Sequence, residues 1–122
     1  MSTSKFALVF GIVFLVIGLL GFVPGITSDG LLLGIFEVDN IHSVIHVLTG
    51  ILALAFMKSN AKMFFKVFGV VYLLVTLFGF FQGGSVLGLF MVNMADNVLH
   101  LVVSVVALWL GFRKEGTMAM PM

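Results

Sequence analysis

The chain has 122 residues, of which 61% are hydrophobic and only 9% are charged, and its mean hydropathy is +1.29. A water-soluble domain carries about 25% charged residues, so this chain has too little charge to cover a surface that faces water. The composition therefore predicts one domain, located in a membrane. The absence of cysteine excludes disulfides, thiolate metal sites and cysteine nucleophiles. A net charge of +1 gives no electrostatic reason to expect a nucleic-acid partner.

Four apolar stretches are long enough to form membrane-spanning helices, because a bilayer core about 30 Å thick needs roughly 17–25 helical residues. In chain order they cover residues 6–23, 41–57, 63–81 and 95–112. The only Lys, Arg, Asp or Glu residues within them are Lys66 and Asp96, each close to the start of its span. We therefore expect residues 1–122 to form a single integral membrane domain with four transmembrane helices.

The basic residues predict one orientation in the membrane. All of them lie at the same end of the predicted helices: Lys5, Lys58, Lys62, Lys66, Arg113 and Lys114. Three acidic residues, Asp29, Glu37 and Asp39, lie in the first segment on the opposite side. Cytoplasmic loops carry an excess of Lys and Arg, so we predict a multi-pass protein of the cell membrane with both termini in the cytoplasm.

The two halves of the chain repeat each other, over about residues 6–57 and 63–112. The matching segments are FGIVFLVIGLLGF (10–22) with FGVVYLLVTLFGF (68–80), and LGIFEVDNIHSVIHVLTGILAL (33–54) with LGLFMVNMADNVLHLVVSVVAL (87–108). Each half consists of a helix, an outer segment and a returning helix, so the two halves run in the same direction. The predicted fold is an all-α membrane protein, in which two parallel helical-hairpin repeats form a four-helix bundle.

Small residues recur at intervals of seven in the first helix of each half, which predicts a stripe for close helix contact. The two sets are Gly11, Gly18 and Gly25, and then Gly69, Thr76 and Gly83. Between the helices of each half lies a short apolar outer segment, which we place at the outer interface or between the helix ends.

Polar residues follow each outer segment and are placed to cap the next helix. Asp39 or Asn40 precedes the second helix, and Asn93 precedes the fourth. Asn97 lies one turn after Asn93 and is included among these supporting residues.

The paired pattern GxxFLxxGLLGFxPG, then LLGxFxVDNxHxxxHxxxG and LGLFxVNxADNxLHL, resembles the bacterial membrane family catalogued as domain of unknown function 4383. The most specific pieces are FVPGI, VDNIHSVIH and ADNVLHL, and the resemblance covers about residues 6–112. It implies a small four-helix integral membrane protein. Because the family has no assigned activity, the resemblance supplies no catalytic or binding residue.

Four residues near the outer ends of the second and fourth helices are the candidates for chemistry: His42, His46, Asp96 and His100. In each helix the two side chains are four residues apart and share a face. Ionisable groups within a span cost a few kcal/mol each and face the interior of the protein. We therefore expect the two pairs to meet.

Several interpretations of this cluster are open. In the leading one, Asp96 accepts a hydrogen bond from His42 or His100 and the network sets the helix register. The protein would then have a structural or accessory role without enzymatic activity, in contact with the lipid bilayer and with itself or another membrane protein. The alternatives are a metal site, with zinc as an example, a haem held by His46 and His100, and a small transporter.

The C-terminal residues TMAMPM place Met118, Met120 and Met122 at alternate positions. Thioethers can bind Cu(I), but the predicted cytoplasmic location does not favour copper. We interpret these residues as a disordered tail.

Overall fold

The structure is a computed structural model that describes residues 2–114, so the methionines of the C-terminal tail lie outside the described residues. Its four helices are α1 (Thr3–Leu20), α2 (Asn40–Phe56), α3 (Ala61–Gln82) and α4 (Met94–Phe112). By length and composition, α1, α3 and α4 are able to cross a membrane, whereas α2 has 17 residues and is shorter. These helices support the prediction of a helical membrane protein.

The first helix begins and ends about three residues earlier than the apolar stretch predicts. It begins at Thr3 because the Ser2 hydroxyl accepts a hydrogen bond from the Lys5 amide at 3.2 Å, which caps the helix. It ends at Leu20, where the Phe22 amide bonds to the Leu19 carbonyl and tightens the last turn. Apolar residues beyond this point belong to a turn and not to the helix.

The helices pack mainly in sequential pairs, α1 along α2 and α3 along α4, with smaller contacts of α3 with α1 and α2. Glycine allows the close approach within each pair. A Cβ atom on Gly50 would lie 2.6 Å from the Leu15 nitrogen, and one on Gly111 would lie 2.7 Å from the Lys66 nitrogen. Such distances between backbones require a residue without a side chain.

Only part of the predicted glycine stripe lies in these contacts. Gly11 and Gly18 face α2, and Gly69 faces Leu108 of α4. The predicted third members of each set lie beyond the helices. Gly25 is in a turn with φ +92°, and Gly83 is the left-handed cap of α3 with φ +66°. Gly25 and Gly83 therefore fit the spacing of seven residues in the sequence but do not take part in the helix contacts.

The outer segments form short β-hairpins, which the sequence reasoning did not predict. The first segment forms a three-stranded antiparallel sheet, in the order β1 (Thr27–Ser28), β2 (Leu31–Leu32) and β3 (Phe36–Glu37). The second segment forms a two-stranded antiparallel sheet of β4 (Ser85–Val86) and β5 (Phe90–Met91). The strands have only two residues each, too few for alternating hydrophobicity to reveal them. Both hairpins lie beside the N-termini of α2 and α4.

At the opposite end of the molecule, Arg113 joins three helices. Its carbonyl accepts a hydrogen bond from the Lys62 Nζ at the start of α3, and its guanidinium donates to the Thr3 hydroxyl at 3.2 Å. The guanidinium also lies over the Trp109 ring, 4.9 Å from its centroid. The basic residues thus gather where α1 and α3 begin and α4 ends.

The interior contains an apolar core near this basic end and a group of polar side chains nearer the hairpins. Phe65 and Leu110 are fully buried in the apolar core. Among the described residues, the buried acidic and imidazole side chains are those of His42, His46, Asp96 and His100. The outward faces of the helices are apolar, as a lipid-facing surface requires.

Candidate functional site

Three imidazole rings meet between α2 and α4. His42 and His46 lie one turn apart on the same face of α2, and His100 comes from α4. Their side chains are 1%, 4% and 1% exposed. One candidate ligand atom from each ring lies within 4.8 Å of the other two. These are the only three histidines of the chain, so every imidazole it has is in this group.

The rings lie close to each other, but hydrogen bonds do not join them. The ring centroids of His42 are 4.5 Å from His46 and 5.5 Å from His100, and those of His46 and His100 are 6.0 Å apart. Four buried nitrogens have no hydrogen-bond partner among the described residues: His42 Nε2, His46 Nδ1, His100 Nδ1 and His100 Nε2. Each such group costs about 1–3 kcal/mol when it is left unsatisfied.

A hydrogen bond from its Nδ1 to the backbone orients the ring of His42. Its Nδ1 lies 3.0 Å from the carbonyl oxygen of Met91 in β5. A carbonyl only accepts, so Nδ1 carries the proton, and the buried Nε2 keeps an unshared lone pair. Asp39 holds both partners in place, because one carboxylate oxygen accepts from the His42 amide and the other from the Met91 amide, each at 2.8 Å.

Asp96 does not take the predicted place among the histidines. Its carboxylate turns back along α4 and accepts a hydrogen bond from the Asn93 amide at 2.9 Å, while the Asn93 side chain accepts from the Asp96 amide. This reciprocal capping box satisfies two amides at the helix N-terminus. The predicted hydrogen bond from His42 or His100 to Asp96 is therefore wrong. Asp96 instead lines a smaller cavity of about 70 Å³ together with His46.

The four residues expected to support the helix ends have different positions. Asp39 caps α2 and Asn93 caps α4, whereas Asn40 is the first residue of α2 and is exposed. Asn97 is buried against α3, where a Cβ atom on Gly79 would overlap its Oδ1.

Aromatic rings enclose the histidines on several sides. Phe14 of α1 contacts His46 edge-on at 5.5 Å, Phe90 of β5 lies 5.0 Å from His42, and Tyr72 of α3 lies 5.6 Å from His100. The three histidines are thus surrounded by side chains from α1, α3 and β5. Tyr72 was not among the residues predicted from the sequence, although it is the only tyrosine of the chain and its position in the middle of an apolar helix was an available signal.

The three rings border a cavity of about 130 Å³ between α2 and α3. Half of its lining residues are aliphatic or phenylalanine side chains: Ile45, Phe68, Val71, Val75 and Phe90. Its two hydroxyl groups belong to Thr49 and Tyr72, whose oxygens are 2.9 Å apart. The cavity is therefore a largely apolar space with the three imidazole rings at one side.

This arrangement has the composition of a transition-metal site. Imidazole is a ligand for zinc, copper, iron and nickel, and three protein ligands leave one position open for another molecule. Two nitrogens bound to a tetrahedral zinc ion are about 3.3 Å apart, and the candidate ligand atoms lie within 4.8 Å of each other. A haem does not fit, because a porphyrin is much larger than the cavity and the His42 ring lies beside both expected axial ligands.

Comparison with known proteins identifies one family. The model of the family described as "Domain of unknown function (DUF4383)" matches residues 5–113, which include all four helices and the three histidines. No curated protein and no solved structure matches the chain.

Proposed function

The chain belongs to the DUF4383 family, and from that premise we propose that it is a membrane protein that binds one transition-metal ion through His42, His46 and His100. The observation that carries the proposal is the set of three buried imidazoles with candidate ligand atoms within 4.8 Å of each other and four unpartnered nitrogens. One ion bound by one nitrogen of each ring would give a partner to as many as three of these four nitrogens.

The hydrogen bond of His42 supports the same proposal. Metal-bound histidines usually donate their other ring nitrogen to a carbonyl or carboxylate, which sets the ring orientation and the tautomer. His42 Nδ1 makes such a bond to the Met91 carbonyl at 3.0 Å. Its Nε2 is left as the atom that binds the ion.

We further propose that the four helices form one integral membrane domain, a four-helix bundle of two parallel hairpin repeats with both termini in the cytoplasm. The pairing of α1 with α2 and of α3 with α4 supports two hairpins. The convergence of Thr3, Lys62 and Arg113 at one end supports a common side for the N-terminus, the α2–α3 turn and the end of α4. The positive-inside rule assigns that side to the cytoplasm.

The role that we assign to the metal centre is binding, without enzymatic catalysis. The centre lies within the protein among apolar side chains, and any partner must reach it through the bilayer or at the short loops. Contact with another copy of the chain or with another membrane protein remains a prediction from the sequence.

A purely structural role is the second candidate, and the aromatic contacts favour it. The edge-on contact between Phe14 and His46 at 5.5 Å is a stabilising geometry for aromatic rings. In this case the histidines hold α1, α2 and α4 together without an ion. The two candidates differ in one measurable property, the binding of metal.

The test is metal stoichiometry on detergent-purified protein that carries an affinity tag without histidine. Because the three clustered histidines are the only ones in the chain, imidazole ligation reports on this site alone. The stripped protein is titrated with Co(II), whose visible spectrum distinguishes tetrahedral from octahedral coordination. We expect one equivalent of ion with a tetrahedral spectrum, and its loss in the His46→Gln/His100→Gln variant.

Thr49→Val provides the matched control, since Thr49 lines the same cavity but offers no metal ligand of the expected kind. It is expected to retain the ion. X-ray absorption on the metal-loaded wild-type protein tests imidazole ligation even if the histidine variant fails to fold. An ion-free wild-type protein whose histidine variant only unfolds at a lower temperature would overturn the proposal in favour of the structural role.

A further inference from the structure

The ligand set of the metal centre is electrically neutral. No carboxylate belongs to the group of candidate ligands formed by the described residues. Two carboxylates beside the cluster already accept hydrogen bonds, Asp39 from the amides of His42 and Met91, and Asp96 from the amide of Asn93. An ion bound by the three imidazoles therefore keeps its full charge.

The charge of the ion determines how well it is tolerated in this apolar environment. The free energy of transferring an ion from water into a medium of low dielectric constant grows with the square of its charge, so a divalent ion costs about four times as much as a monovalent one. Among the metals that imidazole binds, copper has a stable monovalent state. The neutral, buried ligand set thus favours Cu(I) over Zn(II).

A divalent ion would recover this cost by binding an anion at its open position, but the cavity does not support one. The Thr49 hydroxyl donates to the Ile45 carbonyl at 2.8 Å, so it accepts from the Tyr72 hydroxyl at 2.9 Å. Both hydroxyl protons are thereby committed, and neither is available to an anion in the cavity.

The cavity suits a small apolar molecule instead. Its volume of about 130 Å³ exceeds that of a diatomic gas, and mainly apolar cavities of about this size accept small apolar guests. Val71, one of its lining residues, is 42% exposed on the outer face of α3. A gas dissolved in the hydrocarbon of the bilayer therefore has a short route to the rings.

We propose that the three-histidine centre holds Cu(I) and that its open side binds a small neutral diatomic gas that enters from the bilayer. This inference rests on the proposed function, because it needs His42, His46 and His100 to bind a metal. It adds the oxidation state of the ion and the chemical class of its ligand.

The test is anaerobic loading of stripped protein with chelator-buffered Cu(I), followed by exposure to carbon monoxide and infrared spectroscopy. Carbon monoxide binds Cu(I) but not Zn(II), and the bound molecule gives a C–O stretching band. We expect one equivalent of Cu(I), one band, and the loss of the histidine-bound copper and of the band in His46→Gln/His100→Gln. The measurement is repeated in a variant with Leu at the three methionines of the tail, which removes copper binding by the tail thioethers: Met118, Met120 and Met122.

A pair of α3 variants tests the cavity separately from the metal. Val75→Phe fills the cavity that Val75 lines, and it is expected to keep the copper but lose the carbon monoxide band. Val70→Phe adds the same side chain to a position that is 47% exposed and does not line the cavity, and it is expected to keep both.

The failures of the two proposals are distinguishable. Histidine-dependent binding of Co(II) or Zn(II) without Cu(I), or Cu(I) without a carbon monoxide band, overturns the present inference and leaves the proposed function standing. A band that persists in Val75→Phe overturns the assignment of the cavity. No histidine-dependent metal of any kind overturns both proposals.

Discussion

The Nδ1 of His42 on α2 donates a hydrogen bond to the carbonyl oxygen of Met91 on β5, at 3.0 Å. These residues are 49 positions apart in the chain, and one belongs to each of its two halves. The bond sets the tautomer of the ring and connects the second hairpin to the histidine cluster. A change in the position of β5 is therefore expected to alter the orientation of the His42 ring.

Asp39→Asn tests this connection. The Asp39 carboxylate accepts from two amides, those of His42 and Met91, whereas Asn has one acceptor oxygen and an NH2 group that cannot accept. We expect the free energy of unfolding to fall by about 1 kcal/mol, since one amide loses its partner. Metal affinity is expected to fall about tenfold as the His42 ring loses its fixed orientation.

Asp29→Asn is the matched control for this substitution. Asp29 is exposed and has φ 54°, a conformation that Asn also tolerates. Denaturation in detergent and the Co(II) titration measure the two effects. Equal metal affinity in Asp39→Asn and wild type would show that the contact with Met91 of β5 does not position His42.

Gly50→Ala tests the close contact between α1 and α2. The added Cβ would lie 2.6 Å from the Leu15 nitrogen and 2.7 Å from the Gly11 carbonyl oxygen, both backbone atoms that cannot rotate away. The helices must separate, and we expect a loss of about 1–3 kcal/mol of stability. Thermal unfolding of the purified protein measures it.

Ala55→Val serves as the control for added volume on the same helix, because Ala55 is exposed. It is expected to unfold close to the wild-type temperature. If Gly50→Ala also unfolds there, the approach of α1 and α2 is not a determinant of stability.

Leu87→Asn tests strain in the second hairpin. Leu87 and Gly88 have φ values of 53° and 70°, and the Leu89 amide bonds to the Val86 carbonyl at 2.9 Å, as in a type I′ turn. This turn favours Asn followed by Gly, and a left-handed conformation costs other residues roughly 1–2 kcal/mol. We expect Leu87→Asn to raise the free energy of unfolding by about 1 kcal/mol.

Leu89→Asn makes the same change of polarity at an exposed neighbour in this turn whose φ is not positive. It is expected to give no stabilisation. Denaturant titration of both variants separates relief of strain from a general effect of polarity, and equal stabilities would reject the strain argument.

The orientation is tested with two single-cysteine variants, which is straightforward in a chain without cysteine. Ser28→Cys lies in β1 on the predicted outer side, and Ser59→Cys lies in the turn between α2 and α3 on the predicted cytoplasmic side. Both serines are exposed. In intact cells a membrane-impermeant maleimide is expected to label only Ser28→Cys, and after permeabilisation it is expected to label both. The reverse pattern in intact cells would invert the orientation.

Local patterns in the sequence predicted the helices well. Long apolar stretches predicted α1, α3 and α4 to within about three residues at each end, because burial in lipid requires a continuous run of apolar side chains. The spacing of four residues placed His42 and His46 on one face, since it is close to one helical turn. The distribution of basic and acidic residues along the chain predicted that the two ends of the helical domain differ in charge.

Local spacing did not predict the position of the Asp96 side chain correctly. Its spacing from His100 suited a shared cluster, but the nearby Asn93 offered a capping box that satisfies two amides within α4. A local hydrogen bond of this kind forms without bringing distant segments together. The Asn93-x-x-Asp96 spacing was present in the sequence and could have indicated it.

The sequence by itself determined that the protein is helical and apolar, with its charged residues outside its helices or near their ends, because these properties depend on contacts between near neighbours in the chain. The repeat and the spacing also predicted that His100 would lie near His42 and His46. Only the tertiary structure showed that Asp96 bonds elsewhere and that Tyr72, Phe90 and the Met91 carbonyl surround the rings. Their positions depend on how the helices and hairpins pack against each other, and no local spacing specifies that.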